Sequence, residues 1–237
     1  MKRILIIAFI ALSLNAIGQK TIEVYSDKSL IYLNEEISLK SQFLDSLFYQ
    51  GRVFFKNGKS SSALMNYNLL ENGISFVDKN KNILILDGLD EILLVTYNRR
   101  EFIPYQGNIL EQIATYNNDI SLFLKRKTSV KSNATNGAYG MNSQSANIGK
   151  YSYLSGPGGV QTYNDLNKEI RVDVTLESEY FLKIDGKFFS VSRIKDLKKL
   201  FPSKRDSILN YISSNKLKLN NPLDLKQIIK YCVEDTQ

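Results

Sequence analysis

The sequence predicts an α+β protein whose β-rich body precedes a helical tail. Three observations carry that expectation. Turn dipeptides recur roughly every 8–12 residues between short apolar or alternating runs over residues 50–128, as in small barrels and sandwiches. A polar, glycine-rich stretch then interrupts the pattern. Beyond residue 192 the apolar spacing changes from two to three or four.

The first residues stand apart from the fold. Lys2 and Arg3 precede an apolar run over residues 4–14 broken by Ser13, and Ala16-Ile17-Gly18 supplies small residues before Gln19. This is the layout of a secretory signal peptide over residues 1–18, and the run is too short for a bilayer span, which needs about 20 residues. The expected product is exported: periplasmic, outer-membrane-associated or secreted, with no transmembrane span in the mature chain. No cysteine follows the signal where a lipidation site would need one.

The elements follow in order. Thr21 to Tyr25 alternate and suggest a short strand, and Ile37, Leu39, Phe43, Leu44, Leu47 and Phe48 approach helical spacing. Within the body, residues 19–128, Asn57-Gly58 separates strand runs 52–56 and 62–69. Asparagine and glycine both tolerate positive φ, so the pair is a strong hairpin signal. Asn72-Gly73 and Asp87-Gly88 mark further turns around runs 74–77 and 83–86. Residues 92–97 are rich in β-branched and aromatic side chains. Asn98-Arg99-Arg100 leads to Phe102 and Ile103, and Asn117-Asn118-Asp119 separates runs 109–116 and 120–125. The body is therefore expected to be a β-meander, small-barrel-like or sandwich-like.

Residues 129–164 are dense in Ser, Asn, Gly and Tyr and offer little to bury, so they read as a low-complexity flexible loop. Residues 165–237 begin with alternation at Ile170, Val172, Val174 and Leu176, then a hairpin around Asp185-Gly186. Ile194, Leu197, Leu200 and Phe201 share a helix face ending before Pro202. Ser203 with Asp206 has the form of a capping pair for a second helix bearing Ile208, Leu209 and Ile212. Asn221 and Pro222 start the last helix, whose inner face is Leu225, Ile228, Ile229 and Cys232.

Composition narrows the chemistry. The 237 residues contain no histidine, which excludes Ser-His-Asp and Cys-His devices and His-ligated zinc. The lone Cys232 allows no intramolecular disulfide. No catalytic residue, cofactor or metal is expected. The acidic group Asp87, Asp90 and Glu91 lacks the ligand spacing of a calcium loop. Gly156-Pro157-Gly158-Gly159 lacks the strand–helix context of a phosphate cradle. Arg99, Arg100 and Glu101 read as charges at a hairpin tip, and the tyrosines at 139, 151, 153 and 163 as part of the polar loop. Asn133-Ala134-Thr135 is an N-glycosylation acceptor only in a eukaryotic secretory route.

The net charge of +7 is concentrated late in the chain, where residues 180–237 carry twelve Lys/Arg against six Asp/Glu. Lys195, Lys198, Lys199, Lys204, Arg205, Lys216 and Lys218 form a candidate partner-binding surface. An envelope protein or an anionic envelope component, a lipid headgroup or a glycan, fits that charge. Nucleic acid is disfavoured, since no stacking platform or binding motif accompanies the basic residues.

Three stretches resemble a known group. They are the signal region ending Ala16-Ile17-Gly18-Gln19, the body segments 51–58 with Tyr67-Asn68 and 99–104, and the tail segments 180–189, 197–202 and 215–218. In these the chain is similar to uncharacterised secreted proteins of the Bacteroidota. The resemblance implies a Gram-negative cell envelope and transfers no activity or catalytic residue. In that setting Asp45-Ser46-Leu47 and Asp206-Ser207-Ile208 look similar to the phylum's short O-glycosylation sites. The expected function is a non-catalytic envelope or secreted binding module. The alternatives are a carboxylate-dependent glycan-active hydrolase and a structural component of an envelope assembly.

Overall fold

The computed structural model describes residues 20–26, 30–32, 39–117, 119–132, 160–162 and 170–234. The signal region, the glycine cluster, Asn133-Ala134-Thr135 and the loop tyrosines lie outside the described residues. The protein is mostly β, with one large antiparallel sheet and helices at the C-terminal end. The strands are β1 (Lys20–Ser26), β2 (Leu30–Tyr32), β3 (Tyr49–Phe55), β4 (Ser60–Asn68), β5 (Gly73–Val77), β6 (Ile83–Ile85), β7 (Ile92–Tyr97), β8 (Arg100–Tyr105), β9 (Asn108–Thr115), β10 (Ile120–Ser132), β11 (Val160–Thr162), β12 (Ile170–Ile184) and β13 (Lys187–Ser190). The helices are α1 (Leu39–Gln42), α2 (Ile194–Leu200), α3 (Ser207–Ser214) and α4 (Pro222–Glu234).

The sheet runs β1-β12-β10-β9-β8-β7-β3-β4-β5-β6, with β13 pairing the far end of β12. β2 and β11 form a separate two-stranded ladder. Two consecutive meanders, β3 to β6 and β7 to β10, join back to back through the β3–β7 pair. Long β12 carries β1 along residues 170–176 and β13 along 181–184. The C-terminal segment is thus built into the same sheet as the body.

The structure corrects the barrel alternative. The sheet is open, with β6 at one edge and β1 and β13 at the other. It nevertheless curls strongly: the Thr128 amide of β10 donates to Asn72 Oδ1 at 2.9 Å and its hydroxyl to the Leu69 carbonyl, although four strands separate β10 from β4 in the sheet. Accumulated right-handed twist brings these elements together without a closing ladder.

Other boundaries also shift. β10 runs to Ser132, and β11 occupies 160–162, so residues 129–132 and 160–162 of the expected loop 129–164 are strand. The backbone register with β12 extends β10 beyond the point where side-chain patterning fades. Of the helical spacing near residue 40, the described residues show the single turn α1, after which Phe43 bridges Asn68. Ser203 does not cap α3. Residues 202–204 form a 3₁₀ turn, and α3 starts at Ser207 without a side-chain cap. At the start of α2, Asp196 accepts from the Arg193 amide at 3.1 Å and from its guanidinium. Asn221 does cap α4, accepting from the amides of Leu223 at 2.9 Å and Asp224 at 3.2 Å.

Two apolar clusters share one face of the curled sheet. In the first, Val53, Met65, Tyr67, Ile74, Val95, Tyr97 and Phe102 pack among themselves. In the second, Leu122, Leu124, Tyr180 and Leu182 receive Leu197, Phe201, Ile208, Leu225, Ile228, Ile229 and Cys232 from the helices. Burying these aliphatic and aromatic side chains contributes about 1.5–3 kcal/mol each. The Tyr116 hydroxyl, donating to the Lys226 carbonyl at 3.1 Å, further ties α4 to the end of β9.

Candidate functional site

A buried ionic network lies between the two clusters. Register places its members on the apolar face. Glu111 stands opposite Phe102 on β8 and Leu124 on β10, so its carboxylate occupies a place in a row of core side chains. Arg100 lies two residues before Phe102, and Arg126 two after Leu124, on the same face by strand alternation. The Glu111 side chain is 6% exposed. Arg100 Nη1 donates to its Oε1 at 2.7 Å, and Arg126 Nη2 donates to its Oε2. Each carboxylate oxygen therefore has its own guanidinium.

Arg100 also reaches Asp45, whose Oδ1 lies 3.5 Å from Nη2, and Asn98 Nδ2 donates to the same oxygen at 3.3 Å. Asp45 is positioned by Asn66 of β4. Asn66 Nδ2 donates to the carbonyls of Asp45 at 2.7 Å and Leu47 at 2.9 Å, and the Asp45 amide donates to Asn66 Oδ1 at 3.2 Å. Burial works against the Arg100 charge, but Glu111 and Asp45 more than offset it, so its pKa rises above the ordinary value.

Aromatic side chains floor the network. Tyr97 and Phe102 stack with centroids 5.1 Å apart, and Tyr67 stacks on Phe102 at 5.9 Å. The Arg126 guanidinium lies 5.2 Å from the Tyr67 ring centroid, within cation–π range. The Tyr97 hydroxyl accepts from the Tyr67 amide at 3.0 Å. Burial pushes the Tyr67 phenol up to about 12, and burial likewise raises Tyr97. Among the described residues Asp45 Oδ2, the Tyr67 hydroxyl and Arg126 Nη1 are buried without a hydrogen-bond partner. They leave one acceptor and two donors of the network unsatisfied.

On the other side of the sheet lies a shallow depression of about 470 Å³. Arg52 stands beside Ser62 and Thr96, and Thr96 beside Glu101, in one row across β4, β3, β7 and β8. These side chains line the depression with Gln50 and Arg99. Arg99 sits in a hairpin turn where it and Asn98 both adopt positive φ, at +60° and +46°.

The sequence-predicted basic residues fall on the outer surface of the tail. Lys195 and Lys199 of α2 are exposed and Lys198 is half-buried. Lys204 is half-buried, with its ammonium 4.7 Å from the Tyr231 ring centroid. Arg205, Lys216 and Lys218 are exposed. They join neither the ionic network nor the depression. Asp87 Oδ1 accepts the Gly88 amide at 2.7 Å, which is turn chemistry. Among the described residues no cluster of His, Cys, Asp and Glu could hold a metal ion, and no helix is long and apolar enough to cross a membrane.

The sequence alone presents Arg100 as a hairpin-tip charge and does not group Asp45, Glu111 and Arg126. A signal was present for two of them, because Arg100 and Glu111 alternate in phase with Phe102 and Ile109 on the core side. No family model, curated protein or solved structure matches this chain.

Proposed function

We propose that the protein is an exported, non-catalytic binding module that engages an anionic envelope component through its helical tail. The observation that carries this reading is the division of labour on the helices. Leu197, Phe201, Ile208, Leu225, Ile228, Ile229 and Cys232 are buried against the sheet, while Lys195, Lys199, Arg205, Lys216 and Lys218 are exposed. A basic array on a rigid scaffold suits charge-driven association, which weakens with salt.

The ionic network does not favour the hydrolase alternative. Glycoside hydrolysis needs two carboxylates free to face the scissile bond. Both oxygens of Glu111 are occupied by arginines, and Asp45 keeps one free oxygen. The structural-component alternative draws on exposed apolar side chains of the tail, which here are Leu209 and Leu223.

The test compares the protein with a variant in which Lys195, Lys199, Arg205, Lys216 and Lys218 become Gln. Both are titrated with vesicles of neutral or anionic headgroups and with acidic glycans. The expected result is salt-sensitive binding that the variant loses by tenfold or more with an unchanged far-UV CD spectrum. Equal binding by both proteins, or no binding to any anionic surface, would overturn the reading.

A further inference from the structure

From the β6 edge we infer that the protein self-associates, two copies pairing antiparallel through Ile83-Leu84-Ile85 about a two-fold axis at Leu84. Three independent observations converge there.

The first is hydrogen-bond phase. Asp78 N donates to the Asn82 carbonyl and Leu86 N to the Ile74 carbonyl. With Phe76 opposite Leu84, that alternation directs the Leu84 amide and carbonyl inward to β5. The amides and carbonyls of Ile83 and Ile85 therefore point outward, and among the described residues no strand pairs them. A two-fold at Leu84 sets Ile83 against Ile85 of the second copy twice over. All four outward groups on each copy are then satisfied by four interchain bonds.

The second is apolar exposure. Ile83 is 47% exposed and Leu84 43%. Leu64, Val77 and Ile83 form a row on one face, and Met65, Phe76 and Leu84 on the other. Leu64 is itself 44% exposed. Pairing would extend both rows into the second copy. Edge strands are usually blunted by charge, proline or a covering element, and Ile83-Leu84-Ile85 has neither charge nor proline.

The third is charge polarity. Residues 78–82 before the strand carry Lys79 and Lys81 against Asp78, and residues 87–91 after it carry Asp87, Asp90 and Glu91. An antiparallel copy brings the positive end of one strand to the negative end of the other. A parallel copy would set like against like. The acidic group thereby selects orientation and register, as charges flanking an interface do. With three strand residues a side, the interface falls below about 1,200 Å² and the association is weak and reversible.

The test uses sedimentation equilibrium over a wide concentration range, with hydrogen exchange read at residues 83–85. A concentration-dependent dimer is expected, with slowed exchange at Ile83 and Ile85 only when dimeric and at Leu84 throughout. Leu84→Lys puts two ammonium groups at the two-fold and should raise the dissociation constant at least tenfold. Asp87→Lys should weaken the dimer, and adding Lys81→Asp to it should restore most of the loss. A monomer at every concentration overturns the inference. A dimer indifferent to Leu84→Lys also overturns it, by moving the interface elsewhere. A monomer with Ile83 and Ile85 protected overturns it as well, since another segment of the same chain then covers the edge.

Discussion

Replacing Glu111 with Leu tests the account of the ionic network. Leucine suits the position sterically, between Phe102 and Leu124, so packing changes little. What changes is charge. Arg126, 14% exposed, keeps no anionic partner among the described groups, and Arg100, 31% exposed, keeps only Asp45 at 3.5 Å. Removing one member of a buried pair costs about 3–5 kcal/mol, because the survivor remains desolvated. Partial exposure of Arg100 gives it some hydration, so the lower end, about 3 kcal/mol, is expected. For a chain of this size that lowers Tm by about 6–12 °C, and moves the urea midpoint down by about 1 M. Urea unfolding followed by far-UV CD measures it. The double variant Glu111→Leu with Arg126→Leu should recover much of the loss, since an apolar replacement leaves no unpaired charge there. A cost below about 1 kcal/mol for the single change, or a double variant worse than additive, would refute the argument.

Two further predictions rest on local geometry and titration. Arg99→Gly should stabilise the protein by about 1 kcal/mol, because glycine adopts the φ of +60° without the Cβ penalty; an unchanged or lower urea midpoint would show that the guanidinium is stabilising where it stands. Burial raises the Cys232 thiol from 9.0 to about 12 and the Tyr67 phenol from 10.0 to about 12. In both cases the unfolded chain ionises first. Their contribution to stability is complete below pH 9 and is lost as pH rises through the folded values. The urea midpoint should fall between about pH 9 and 12, and a thiol reagent at pH 8 should label Cys232 only on unfolding. Rapid labelling of the native protein, or a flat pH profile, would contradict this.

Some of the fold is legible because it is local. Asp185-Gly186 produces the β12–β13 hairpin, with both residues at positive φ, and Gly58 at +80° turns β3 into β4. Asn221 and Pro222 start α4 with their own side chains, and the spacing of Leu225, Ile228, Ile229 and Cys232 identifies its buried face. The turn before β9, by contrast, is hard to read from the sequence. Gln106-Gly107 has the same positive-φ geometry, but glutamine gives a weaker signal than asparagine or aspartate.

Turn chemistry and helix capping act over a few residues, so the sequence by itself determined the hairpins, the last helix and the concentration of basic charge in the tail. The tertiary structure decided which hairpins share an edge. The β3–β7 pair joins two meanders, and β12 lies between β1 and β10, through ladders between segments distant in the chain. Such pairings depend on which faces can be buried together, a property of the whole sheet rather than of any window of residues. The same holds for the site. Asp45, Arg100, Glu111 and Arg126 meet because the curled sheet places three strands and a preceding segment around one point. There, a buried charge is tolerable only with its partners present.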